Sequence, residues 1–67
     1  MLSADKLKFL RISHNITQKY MAESIGKSTR WVGMIENGDE IPTHKVYVDW
    51  LNTCYGRLTP QDKKAKK

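Results

Sequence analysis

The residues best placed for chemistry lie in "STRWVGMIENG", Ser28 to Gly38. At helical spacing Val32 and Ile35 share one side, with Trp31 at its edge. Thr29, Arg30, Gly33, Met34 and Asn37 share the opposite side, because residues three and four apart stand one above another. That second side combines a guanidinium, a hydroxyl, an amide and a thioether with a glycine that gives up about 1 kcal/mol of helix propensity relative to alanine. The mixture is unusual for a side that meets only water.

Arg11 and Glu36 form a second constellation. Arg11 comes four residues after Leu7 and Glu36 four after Val32, so each charge falls on or beside the side its helix should bury. An unpaired buried charge is costly, whereas an arginine fork matched to a carboxylate satisfies both groups. Other chemistry fails on inspection. "GKST" ends like a phosphate-binding P-loop, but the glycine required five residues before Gly26 is Met21, and no strand precedes it. His14 and His44 are far apart in sequence, without a nucleophile or a ligand spacing, so neither catalysis nor a metal site is expected. Cys54 is the single cysteine, which excludes an internal disulfide and suits a small buried role. No enzyme and no cofactor is implied.

The elements that must position these residues read as four or five helices, with no alternating strand pattern and no repeat. Ser3 caps a first helix to about Ser13, with Asp5 in its first turn and Leu7, Leu10 and His14 along one side. Asn15 closes it. Thr17 caps "QKYMAESI", whose Met21, Ala22 and Ile25 make a narrow apolar stripe, and Gly26 ends it. Ser28 caps the third helix at once, and Gly38 ends that one. Thr43 starts a fourth helix to about Tyr55, with Val46, Tyr47, Trp50, Leu51 and Cys54 over a broad apolar arc. "TPQD" at 59–62 carries the cap, the proline and the acidic third position of one more short helical turn.

Length and charge bound the rest. The 67 residues make one domain near the lower limit for an apolar core, so stabilisation by a partner is expected to help. Hydrophobic residues make up 39% and charged ones 28%, with no apolar run long enough to cross a bilayer. The first stretch, "MLSADKLKFL", has charges where a secretion signal needs an uninterrupted apolar core, so the reading is cytoplasmic, with no membrane partner. Formal net charge is +5. Residues 59–67 hold four lysines and one aspartate, while residues 1–58 hold eight basic and six acidic side chains. The unit 1–58 is therefore only mildly basic, and 59–67 is a helical turn with a basic run that reads as a solvated tail, loose attraction to phosphate being the alternative.

Two short helices joined by a turn of three or four residues containing glycine form a helix-turn-helix, in which the first braces the second. The stretch "LKFLRISHNITQKYMAESIGKSTRWVGMIENG" resembles the phage repressor and Cro-type (Xre-like) helix-turn-helix family over roughly residues 5 to 55. "LR", "ITQ", "IGKS" and "IENG" together carry the resemblance; any one alone would be weak. It implies an all-α, compact four- to five-helix lambda-repressor-like DNA-binding domain, with the motif at helices 2 and 3. The implied function is a sequence-specific transcriptional regulator, a repressor, acting on double-stranded DNA as a homodimer. Base edges would face Thr29, Arg30 and Met34. Arg30 can donate its fork to guanine O6 and N7, Met34 and the Thr29 methyl can meet a thymine methyl, and Gly33 permits close approach. Gln18 and Asn37 match phosphate contacts, with Thr17, Lys27 and Ser28 as weaker ones. The resemblance also implies that Arg11 and Glu36 pair structurally.

Three features depart from the family pattern. Asp39 and Glu40 put negative charge where phosphate would lie close, and Trp31 stands at a position often held by tyrosine. Phe9 and Ile12 are apolar where relatives tend to be polar. With Trp50 and Tyr55 they are expected to form an apolar surface, covered by the last turn or another subunit. A competing reading follows: a protein-binding module such as an antitoxin, antirepressor or small inhibitor, holding a toxin or another regulator.

Overall fold

The computed structural model describes residues 2–65, and side chains through residue 62; the lysine run of the tail lies outside the described side chains. Five helices follow one another: α1 (Ala4–Ser13), α2 (Gln18–Ile25), α3 (Thr29–Asn37), α4 (His44–Cys54) and α5 (Pro60–Ala65). The architecture is all-α.

Each helix starts at a hydroxyl that takes an otherwise orphaned backbone N–H. Ser3 Oγ accepts from Lys6 N at 3.4 Å, Thr17 Oγ1 from Tyr20 N at 3.0 Å, Ser28 Oγ from Trp31 N at 3.1 Å and Thr43 Oγ1 from Val46 N at 3.3 Å. Such a cap stabilises a helix by about 1 kcal/mol. At α5 the exchange is reciprocal: Asp62 N donates to Thr59 Oγ1 at 3.4 Å, and Thr59 N donates to Asp62 Oδ2 at 2.8 Å. Gly26 and Gly38 end α2 and α3 with φ of 75° and 85°, a left-handed backbone that side chains resist. The turn after α2 is closed by Lys27 N donating to Ala22 O at 2.9 Å.

Helix α2 sits at the centre and packs against α3, α4 and α5, while α1 packs against α3 and α4. Leu7, Met21, Ala22, Ile25, Val32, Ile35, Val46, Trp50 and Cys54 form one core, with Leu10, Ile16, Trp31 and Tyr47 half-buried around it. Three contacts in order show that α1 and α4 run in the same direction. Leu2 N donates to Tyr47 Oη at 3.1 Å, Trp50 Nε1 donates to Leu7 O at 3.2 Å, and the His14 and Tyr55 rings meet edge-on at 5.4 Å. The expected surface role of Trp50 is thereby corrected. Its side chain is fully buried and its indole N–H is satisfied by α1, which accounts for much of α4's broad arc. Phe9, Ile12 and Tyr55 do lie at the surface. Ser24 is fully buried with no partner for its hydroxyl among the described residues, and so subtracts from stability.

Burial pushes the Cys54 thiol up from 9.0 to about 11, partly opposed by the Arg11 guanidinium. Because the folded thiol keeps its proton longer than the unfolded one, its contribution is intact below pH 9.0 and is lost as pH rises towards about 11. Denaturant titrations across that window should show the parent losing more stability than Cys54→Ala. Parallel curves for the two proteins would contradict the assignment.

Candidate nucleic-acid interface

Helix α3 is held from behind. Val32, Ile35 and Glu36 are buried, whereas Thr29, Arg30 and Asn37 are exposed and Gly33 and Met34 half-buried. The periodicity of nine residues thus separates an inner side that fixes the helix from an outer side that can touch something else. Gly33 has no internal reason to be glycine. A Cβ there would lie 3.8 Å from Gln18 Nε2, an ordinary contact, and its backbone is helical.

The inner side ends in a buried charge network. Arg11 Nε donates to Glu36 Oε2, Arg11 Nη2 to Glu36 Oε1 at 3.2 Å, and Arg11 Nη1 to Ile16 O at 2.6 Å. Gln18 Nε2 adds a fourth bond, to Glu36 Oε1 at 3.1 Å. With Arg11 8% and Glu36 4% exposed, neither charge can fall back on water. The cluster joins α1, the loop that follows it, the start of α2 and the end of α3. The sequence points to Gln18 as a phosphate contact and gives no sign of this internal bond. The partners are 18 residues apart, and nothing local signals their meeting. Its amide keeps one further N–H, so holding Glu36 and donating to an anion are compatible.

The remaining candidates stand at the two helix starts, Thr17 before α2 and Lys27 and Ser28 before α3. Thr17 and Ser28 are exposed and act as caps, which leaves each hydroxyl its own proton to donate. Lys27 is exposed, with Nζ 5.0 Å from the centroid of the Trp31 ring. Trp31 itself is half-buried against the core. Asp39 and Glu40 are exposed just beyond the other end of α3, where Asp39 N donates to Met34 O at 2.8 Å. Along the helix, positive side chains therefore stand at its start and negative ones past its end. This is the sense of the helix dipole, which presents its positive pole first.

A helix-turn-helix family model matches residues 7–52, from the buried leucine of α1 to the last turn of α4. The chain belongs to the Cro/C1-type helix-turn-helix family. No curated protein and no solved structure matches it. The family is one of DNA-binding regulators, and α2 and α3 are the two helices of its motif. Among the described residues no helix is long and apolar enough to cross a membrane, and no cluster of His, Cys, Asp and Glu could hold a metal ion.

For this helix-turn-helix, truncating either charge of the buried pair strands the other. Arg11→Ala and Glu36→Ala are each expected to cost about 3 kcal/mol, a large share of the roughly 3–10 kcal/mol that a domain this size has. Arg11→Met combined with Glu36→Leu should recover most of it, because no charge then remains unpaired. Urea titrations check this, and a parent-like midpoint for Arg11→Ala would rule it out.

Proposed function

We propose that this protein is a sequence-specific transcriptional regulator, a repressor, that blocks promoter DNA by inserting α3 into the major groove. The observation that carries the reading is the uncovered outer side of α3, with Thr29 and Arg30 exposed and Gly33 and Met34 half-buried, while α5 packs on α2. Residues 1–58 form the DNA-binding unit, and 59–67 add the C-terminal turn and basic tail. Arg30 reads guanine through its fork, and Met34 and Thr29 meet a thymine methyl. Thr17, Gln18, Lys27, Ser28 and Asn37 hold the phosphates that set the helix's register. Gly33 serves approach: its lack of a side chain is unexplained inside the fold and useful only against an outside surface. The protein acts in the cytoplasm as a homodimer, since two α3 helices one turn of DNA apart double the contacts.

A protein partner is the second reading, favoured by apolar side chains left at the surface: Phe9 is 70% and Ile41 83% exposed, and Ile41 follows the acidic pair Asp39 and Glu40. A toxin, an antirepressor or a second copy of the chain would cover them. The two readings separate in a salt titration, where DNA binding weakens steeply and linearly on a logarithmic scale.

Arg30→Ala should weaken binding to a duplex selected from a random pool by about 1 to 3 kcal/mol and relax base choice at one position. An unchanged binding curve and an unchanged selected sequence would remove Arg30 from the reading role. Gly33→Ala separates folding from function. It should stabilise the fold by about 1 kcal/mol of helix propensity, seen as a higher melting temperature, and at the same time weaken binding to the selected duplex. A gain in stability with undiminished affinity would leave the glycine without its proposed purpose.

A further inference from the structure

We infer that Trp31 is a positioning residue for phosphate binding: its indole face holds the Lys27 ammonium at the edge of the α3 surface, where the DNA backbone passes. The inference rests on the DNA-binding reading above and extends it to a residue outside the contact set. Trp31 packs half-buried against the core, so the ring is anchored on one side, and Lys27 Nζ lies over it at 5.0 Å from the centroid. The backbone is pinned at both ends of this contact. Lys27 N donates to Ala22 O at 2.9 Å in the turn, and Trp31 N donates to Ser28 Oγ at 3.1 Å at the helix start.

Lysine is a poor fixed contact by itself, because its long stem must give up rotamer freedom to hold one place. A cation over an aromatic ring has already given up part of that freedom, and the N–H donors on its far side stay available. Among the described residues Lys27 makes no ion pair with a carboxylate, so its charge is not neutralised by the protein itself. The contact therefore delivers a held, exposed positive charge beside the start of α3. The remaining bond partner is a phosphate oxygen.

The test is equilibrium binding of a mixed-sequence duplex two helical turns long, titrated with salt, with thermal melts to confirm that each variant is folded. Lys27→Ala should flatten the slope of log K against log salt by about 1. Trp31→Leu should lower affinity about three-fold at low salt, and Trp31→Phe, which keeps an aromatic face, should stay near the parent. The deciding comparison is the double variant: Trp31→Leu should cost nothing further in the Lys27→Ala background. Equal losses in both backgrounds would mean that the indole acts by itself, and would overturn the inference. A second readout needs no folded Trp31→Leu. In the parent's proton NMR spectrum the Lys27 Hε signals should be shifted upfield by the ring, both free and with the duplex; ordinary positions in either state would overturn it. A parent that binds no duplex, or binds without salt dependence, would instead defeat the DNA-binding reading, even with the free-state ring shift intact.

Discussion

A guanidinium and a carboxylate, both withdrawn from water, hold this domain's working helix in place. Glu36 on α3 receives Arg11 from α1 and Gln18 from the start of α2, and Arg11 also closes onto the carbonyl of Ile16. Apolar contacts alone are non-directional, and a helix seated only on Val32 and Ile35 would be less strictly oriented. Three directed hydrogen bonds onto Glu36 remove that slack, and a fourth, to the Ile16 carbonyl, fixes Arg11 itself. A buried ion pair adds little net stability over an apolar pair of the same shape, so its distinctive contribution here is orientation.

The outer side of α3 inherits that orientation. Ser28 caps the helix immediately after the turn, and Gly26 lets the chain change direction within three residues, so the presenting helix begins at a fixed point relative to α2. Gln18 stands at the junction, tied inward to Glu36 and with one amide proton to spare. The same residue thus belongs to the support and to the proposed contact surface. Charge is also ordered along the helix, from Lys27 and Arg30 at its start to Asp39 and Glu40 beyond its end. A polyanion lying along α3 would be drawn to one end and repelled at the other, which sets a direction as well as a place.

Much of the layout was legible from residues near one another in the chain. Caps at Ser3, Thr17, Ser28, Thr43 and Thr59, and glycines at 26 and 38, act over three to six residues, so their chemistry is written locally. The division of α3 into two sides follows from the helical repeat in the same way. The place of Trp50 was not legible in this way: the broad apolar arc of α4 points it towards an apolar surface, yet it is fully buried. In the fold α1 runs beside α4 and its Leu7 carbonyl receives the indole N–H, a partner 43 residues distant.

The order of amino acids by itself determined where helices begin and end and which side chains share a side, because those depend on backbone geometry within a few residues. Tertiary structure alone decided that Gln18 meets Glu36, that Ser24 is shut in without a partner, that Trp50 belongs to the core, and that Lys27 lies over Trp31. These are outcomes of how segments pack and how side chains settle at their junctions. Helical periodicity says which residues look the same way, but not what stands opposite them.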